Sequence, residues 1–341
     1  GDYDLASANT AEELEGALSA LGLKPAAVYK RTGTVMFRLP HGQHCEHTTF
    51  RAEEYGAGGA HTPERTYFTE DIGEDARRRD FKCNAVYYNV KKAAFADPLG
   101  GVEDIRDRRI DTVVSPEEVF RVDGLRLLRL CRFSAELGFA PSEGAVEGAR
   151  AHCRNIRDIS AERVFDEMKK MLSADTKYPF SDPRGHYFAF KLCHRIGVLD
   201  LVMPELTAGD GMPQRADFHD YDVLEHSFRT LLYADKSVRL AALLHDVGKP
   251  YAMKRYGAYK THNAEGERIA RDILTRLKAP KSVVEEVCAL TYLHMADLDL
   301  KMKEGKVRLF MAEHENLLSK LFLLKQADYS ACKDDLAPAP T

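Results

Sequence analysis

Residues 2–7 of the chain read Asp2-Tyr3-Asp4-Leu5-Ala6-Ser7, and residues 78–81 read Arg78-Arg79-Asp80-Phe81. In an extended segment, side chains at i and i+2 point to the same face, so Asp2 and Asp4 stand side by side on one strand. Two such carboxylates can hold Mg²⁺ through hard oxygen ligands and leave coordination positions for water and for a nucleotide's phosphates. That arrangement suits in-line attack of a hydroxyl on a nucleoside triphosphate, with metal ions clamping the attacking and leaving oxygens. An isolated Asp-x-Asp is more often a turn or a solvated edge, so its meaning depends on residues farther along the chain.

The bulk composition narrows the field. With 341 residues, 44% hydrophobic and 30% charged, the chain has room for two or three domains and a substantial core. No apolar run is long enough to span a bilayer and no secretory signal opens the chain. The seven cysteines (45, 83, 131, 153, 193, 288 and 332) are scattered without a CxxC pair, the pattern of reduced thiols in a cytoplasmic protein. A net charge of −4 supplies no global field for nucleic acid, so RNA contact falls to local basic runs: Arg77 to Arg79, Arg106 to Arg109, and Lys169-Lys170. The last of these reads equally well as a solvated helix face.

Residues 1 to about 110 read as α+β. Thr10-Ala11-Glu12-Glu13 is a capping box opening a helix. Val35 to Leu39 and the run around Thr48-Thr49-Phe50 read as paired strands. Glu53 to Gly73, rich in Gly with Pro63, reads as a long loop of the kind that tends to be functional. From Ser115 the pattern is helical. Ser115-Pro116-Glu117-Glu118 combines an N-cap, Pro at the first helical position and Glu at the third. Ser160 is placed to cap the helix carrying Val164, Phe165, Met168 and Met171. Residues 183–206 suggest a helical linker.

Asp123, Arg126, Arg129 and Arg132 recur every third position of a segment expected to be helical, and so wind across about half its circumference. Leu125, Leu127, Leu128, Leu130 and Phe133 fill the gaps and leave no clean apolar face. A helix apolar nearly all round is buried, and buried guanidiniums need an anion with hydrogen-bond geometry. Farther on, His245-Asp246 comes after the apolar run Leu240 to Leu244, while His226 and Asp328 lie on an earlier and a later helix. Imidazole with carboxylate suits Mn, Fe, Ni, Co or Zn rather than Mg alone.

In order along the chain stand Asp2-Tyr3-Asp4, Glu46-His47-Thr48-Thr49-Phe50-Arg51, Arg78-Arg79-Asp80-Phe81 with Asn84-Ala85, Asp97 to Gly101 with Asp104, and Asp123-Gly124-Leu125-Arg126. This succession resembles the class II tRNA nucleotidyltransferases, the bacterial CCA-adding enzymes, and their poly(A) polymerase relatives, over nearly the whole chain. The resemblance implies Asp2 and Asp4 as catalytic Mg²⁺ ligands. Glu46 would be a third carboxylate, although it is succeeded by His47 where the family has an apolar residue. It implies Arg79 and Asp80 on triphosphate and ribose, and the loop at 53–73 as the element that switches such enzymes from C to A. It implies Asp123 and Arg126 as readers of the CTP and ATP base edges, with Arg129 and Arg132 as structural or phosphate-facing neighbours. One departure is Val122, where the family has a Glu that orients the arginine, so selectivity is expected to be looser. His226, His245, Asp246 and Asp328 resemble the metal set of HD phosphohydrolases, and His262 and His294 fall where fuller metal sets have further histidines. The family's glycine-rich phosphate-binding turn is not found upstream of Asp2, and the chain stops in a Pro/Ala tail. The expectation is of a fragment at both ends, or of an incompletely delimited gene.

The resulting expectation is an α+β protein. Residues 1–110 form a nucleotidyltransferase head with a mixed sheet, truncated at its N-terminus; 111–206 form an all-α neck and RNA-binding region; and 207–341 form an α-helical HD domain. Its implied activity is addition of C and A from CTP and ATP to the tRNA 3′ end with pyrophosphate release. A second hydrolytic activity on 2′,3′-cyclic phosphates or 2′-phosphates is implied for the HD part. Neither a membrane nor an obligate protein partner is implied. Three alternatives stand beside it: a CC-adding, A-adding or poly(A)-adding specialist; an HD phosphohydrolase whose N-terminal half only binds RNA; and a bare RNA-binding module, which fits poorly with two intact ligand clusters.

Overall fold

The structure is a computed structural model and describes residues 2–56, 63–214, 220–296 and 301–334. The chain divides into two compact units, Gly1–Arg126 with Ala140–Asn155, and Leu127–Phe139 with Ile156–Thr341. No helix among the described residues is long and apolar enough to cross a membrane.

The first unit is built on a sheet of four strands, β1 (Tyr3–Ser7), β2 (Pro25–Tyr29), β3 (Thr34–Arg38) and β4 (His44–Thr49), in the order β1-β4-β3-β2. β1 runs parallel to β4, and β3 is antiparallel to both β2 and β4. Alternation along the strands sends Val35, Phe37 and Cys45 to one face, where they bury against Ala11 and Leu18 of α1 (Ala11–Ala20). The capping box holds as expected: Glu13 N–H donates to Thr10 Oγ1 at 3.2 Å and Thr10 N–H to Glu13 Oε2 at 2.9 Å.

The loop expected over 53–73 is largely a hairpin. β5 (Arg51–Glu54) and β6 (Arg65–Phe68) pair antiparallel with Arg51 opposite Phe68, and the tip, residues 57–62, lies outside the described residues. The glycines of the tip masked the strand signal of Thr66-Tyr67-Phe68. α2 (Ile72–Arg77) comes next, then the hairpin β7 (Tyr87–Asn89) and β8 (Ala94–Ala96), α3 (Gly101–Arg106), and β9 (Arg109–Ile110). α4 (Pro116–Val122) starts on the predicted cap, with Ser115 Oγ accepting from Glu118 N–H at 3.2 Å. α5 (Leu125–Leu137) carries the boundary between the units, and β10 (Ala140–Pro141) returns to pair with β9 before α6 (Glu143–Ala151).

The second unit is helical: α7 (Ala161–Met171), α8 (Gly185–Arg195), α9 (Leu199–Val202), α10 (Pro204–Thr207), α11 (Val223–Tyr233), α12 (Arg239–Leu244), α13 (Lys249–Tyr256), α14 (His262–Arg276), α15 (Lys281–Leu293), α16 (Glu304–Glu313) and α17 (Leu318–Lys333). Ser160 occupies the N-cap position of α7, but its side chain makes no capping hydrogen bond, a departure from the expected cap. The Pro/Ala tail lies outside the described residues.

Arg239, buried at the start of α12, grips Asp175 with two hydrogen bonds of 2.6 and 2.8 Å and donates to Leu172 O at 2.7 Å. Gly248 sits where helices cross, and a Cβ there would lie 2.0 Å from His262 O and 2.5 Å from Gly266 N. Its φ of −79° is ordinary, so close approach and not backbone conformation demands the glycine.

Both features bear on stability. Gly248→Ala should destabilise the protein by about 1–3 kcal/mol, the usual range for forced overpacking, and lower the thermal midpoint; an unchanged melting curve would contradict the crossing. Asp175→Asn should cost about 3 kcal/mol by leaving the buried guanidinium without its counter-charge. Although burial pushes the Asp175 carboxyl up, Arg239 holds it below the usual carboxylate range. Its contribution is therefore full above about pH 4, the ordinary carboxylate value, and lost as pH falls through the lowered pKa. Denaturant titrations of both proteins from neutral to acid pH should converge at the acid end.

Candidate active site and metal centre

On the face of the four-stranded sheet opposite α1, Asp2 and Asp4 stand beside Glu46, which pairs directly with Asp4 across the parallel ladder. All three are exposed and line one cavity of about 540 Å³ with Met36, Arg38 and His44. The strand period thus gathers three carboxylates and two basic side chains on one wall. A cation offers the means to relieve the repulsion among the acids, and their hard oxygens fit Mg²⁺. His47, next in sequence to Glu46, points to the buried face, where its Nε2 lies 2.8 Å from Ser7 Oγ.

A second set of charged residues surrounds α2. Asp75 has no exposed surface and accepts from Arg78 Nε at 2.7 Å, Arg79 Nη2 at 3.3 Å, Tyr87 Oη at 2.7 Å and Arg51 N–H at 3.3 Å. Burial pushes its carboxyl up, but Arg78, Tyr87 and Arg79 outweigh burial and hold it below the ordinary range. Glu53, nearly buried on β5, accepts from Arg51 Nε at 2.6 Å and from the Tyr55 hydroxyl; burial is again overcome, here by Tyr55, Arg51 and Arg78. Asp80 is buried and accepts from Phe81 N–H at 2.9 Å and Asn84 Nδ2 at 3.0 Å, bonds that shape the turn after Arg79. Asp97 caps α3 by accepting from Gly101 and Val102 N–H, and buried Asp104 accepts from Arg109 Nε at 3.1 Å.

The arginines of α5 meet different fates. Arg126 is buried, and its guanidinium donates to the main-chain carbonyls of Arg78 at 2.6 Å and Val119 at 3.5 Å. Neither partner is an anion, so its charge stays unneutralised by these contacts. Asp123 precedes the helix in extended conformation and accepts from Leu125 N–H at 2.9 Å. Arg129 lies over the Phe133 ring at 5.1 Å. Arg132 is paired with Glu167 at 2.8 Å and Glu136 at 3.6 Å, so the anion that its burial demands comes from the protein itself.

The second constellation is enclosed. His226 comes from α11, His245 and Asp246 stand just past α12, His262 opens α14, His294 stands just past α15 and Asp328 lies on α17. Two groups have ligand atoms all within 4.8 Å of one another: His226, His245 and Asp328, and Asp246, His262 and His294. These are the metal-competent groups of three or more found among the described residues, and the three acids of the sheet are not gathered so closely. Asp246 stands between the groups. Its Oδ2 lies 3.2 Å from His245 Nε2, and its Oδ1 lies 3.3 Å from His262 Nε2 and 3.8 Å from His294 Nε2. Lys249 Nζ lies 2.6 Å from Asp246 Oδ2 and donates to Gln214 Oε1 at 2.6 Å.

The hydrogen bonds behind these imidazoles fit a metal. His245, His262 and His294 each place Nδ1 against a main-chain carbonyl, of Ala242, Tyr259 and Thr291, at 2.7, 2.7 and 2.6 Å. Donation from Nδ1 turns Nε2 inward, where it becomes the lone-pair nitrogen whenever the ring is without its second proton. His262 Nε2 and His294 Nε2 then face each other at 3.1 Å, and only a cation or a proton between them reconciles two lone pairs at that distance. Burial depresses His245, but Asp246 and Asp328 overcome it and push its pKa up to about 10, while burial and the His245 charge bring His294 down to about 3. Both carboxyls are held well below their ordinary value, against burial, by the surrounding cations.

All the predicted metal residues of the helical unit therefore converge. Sequence reading passed over Asp75, Glu53, Tyr87, Lys249 and Gln214. The i, i+3 and i, i+4 spacing of Asp75 to Arg78 and Arg79, and of Asp246 to Lys249, was the available signal.

Comparison with known proteins bears on both halves. A family model described as a Poly A polymerase head domain matches residues 1–111, one described as an HD domain matches 223–331, and one described as a probable RNA and SrmB- binding site of polymerase A matches 138–181. An A-adding tRNA nucleotidyltransferase of Deinococcus radiodurans is 34% identical over 77% of this chain and 61% of its own length. A CC-adding tRNA nucleotidyltransferase of Thermus thermophilus is 32% identical over 81% of this chain and 64% of its own. The chain thus spans less than two thirds of these curated relatives. The crystal structure of the Bacillus stearothermophilus CCA-adding enzyme in complex with CTP superposes with a TM-score of 0.63 and 25% identity, covering 100% of this chain and 71% of that one. The chain thus carries a Poly A polymerase head domain followed by an HD domain, and it is similar over most of its length to tRNA nucleotidyltransferases.

Proposed function

We propose that this chain carries the catalytic part of a CCA-adding tRNA nucleotidyltransferase of the cytoplasm, joining C and A from CTP and ATP to the tRNA 3′ end. The observation that carries the reading is the shared exposed face of Asp2, Asp4 and Glu46 beside an open cavity. These three would hold Mg²⁺, which when bound would neutralise the triphosphate and favour attack by the RNA hydroxyl. Around it, the chain's work is positioning. Arg79, about a quarter exposed, presents its guanidinium to the phosphates. Arg126 and Asp123 offer a donor fork and an acceptor for a base edge, with Arg126 free of an internal counter-anion in its main-chain contacts. Asp80, by its buried bonds, sets the turn that displays Arg79, and Arg129 and Arg132 support α5.

A specialist in CC or A addition is the second reading, favoured by the two relatives named for those partial activities. The HD unit would add metal-dependent hydrolysis of 2′,3′-cyclic phosphates or 2′-phosphates. Its six ligands would hold a divalent transition metal, with Lys249 placed to meet an anionic substrate beside Asp246. Neither chemistry implies an obligate protein partner.

With tRNA ending at the discriminator, at C or at CC, the chain should incorporate labelled CTP and ATP to complete CCA. Asp4→Ala should lower incorporation at least about a hundredfold, the scale of losing a principal electrostatic element of a transition state. Two C without A, or A alone on the CC-ended RNA, would establish a specialist. No incorporation, accompanied by metal-dependent hydrolysis of a 2′,3′-cyclic nucleotide, would move the function to the HD unit.

His245→Ala should abolish that hydrolysis and reduce the transition metal retained after gel filtration, while leaving nucleotide incorporation within about twofold, because added Mg²⁺ serves the other chemistry. His262→Ala with His294→Ala should lose only part of the bound metal, since the ligand set of His226, His245 and Asp328 survives. Equal metal content in all variants would refute the proposed ligands.

A further inference from the structure

We propose that Asp75 is the positioning residue of the nucleotide site, fixing the arginine that meets the phosphates and, through Arg78, the arginine beside the base. This rests on the nucleotidyltransferase reading of the head. Asp75 is the fully buried carboxylate of this region, and it touches neither the cavity beside the acids nor a solvent path. An ionised carboxylate offers about four acceptor sites, and the four groups around it use them. On one oxygen, Arg78 Nε donates at 2.7 Å and Arg51 N–H at 3.3 Å. On the other, Tyr87 Oη donates at 2.7 Å and Arg79 Nη2 at 3.3 Å.

These contacts are directional. Arg79 is confined between the carboxylate, the Tyr87 ring 4.8 Å from its guanidinium carbon, and the carbonyl of Asn84 at 3.3 Å. A planar fork held on three sides has lost its rotamer freedom before any nucleotide arrives. Arg78 is drawn by the same carboxylate, with Glu53 3.9 Å from its other side. Fixing Arg78 fixes its main-chain carbonyl, which accepts from Arg126 Nη2 at 2.6 Å. One buried charge therefore sets the aim of a phosphate-facing and a base-facing guanidinium.

A brace needed only for folding would share this geometry, so the test reads quantities that such a brace leaves alone. CTP and ATP dissociation constants, with UTP and GTP as competitors, would be measured in Mg²⁺ for the unsubstituted chain, Asp75→Asn and Tyr87→Phe, together with KM and kcat for incorporation. Asn keeps the size and one acceptor oxygen but not the charge; Phe keeps the ring beneath Arg79 but not the donor. Asp75→Asn should raise Kd and KM for CTP and ATP about tenfold and reduce their preference over UTP and GTP by a similar factor. Tyr87→Phe should move the same quantities in the same direction by about two- to fivefold, at an unfolding midpoint near that of the parent. Unchanged Kd and base preference in Asp75→Asn, with loss confined to the fraction of active protein, would overturn the proposal. If instead the unsubstituted chain binds neither CTP nor ATP, it is the nucleotidyltransferase reading that fails.

Discussion

A charge taken out of water must be met by opposite charge or by hydrogen bonds, because the desolvation cost is otherwise several kcal/mol or more. This constraint organises both halves of the chain. Asp75 in the head and Asp246 in the helical unit are almost wholly buried. Each is the hub toward which nitrogen-bearing side chains turn. Around Asp75 they are guanidiniums, permanently charged and rigid. Around Asp246 they are imidazoles and one ammonium, and an imidazole can exchange its proton for a metal ion. The same demand for compensation thus yields an anion-receptive site in one unit and a cation-receptive one in the other.

The arginines of α5 show how context divides equivalent residues. Arg126 and Arg132 are both buried on a helix without a polar face, at the same three-residue spacing. Arg132 finds Glu136 and Glu167, and the buried group is internally neutralised. Arg126 finds main-chain carbonyls, which satisfy its N–H groups without cancelling its charge. Carbonyl partners hold a guanidinium in place and leave it attractive to an incoming acceptor. With apolar Val122 packed into the core two residues before Gly124, orientation of Arg126 depends on backbone and not on a neighbouring acid.

Much of this was legible in the sequence because it depended on local periodicity. The i, i+2 spacing of Asp2 and Asp4, the Thr10 and Ser115 caps, and the apolar run leading into His245-Asp246 each arise from one segment's own geometry. Features that depend on distant segments were not legible. Burial of Asp75 requires Tyr87 and Arg51 to arrive from other strands. The demand for glycine at 248 is set by the carbonyl of His262, a contact with no signature in the residues around Gly248. The hairpin of β5 and β6 was hidden because its tip is rich in glycine while its strands are short and polar.

The pairing of β1 with β4 has a consequence for how the sheet comes apart. β2, β3 and β4 form a meander closed by short connections, whereas β1 returns to β4 in parallel across the length of the intervening helix and hairpin. Closing so long a loop costs chain entropy before any ladder bond returns it, and among the described residues β1 lies at the edge with β4 as its single neighbour. Asp4 therefore rides on one of the two edge strands with Asp2 just before it, so these two acids can part from Glu46 while the meander and its core against α1 stay closed.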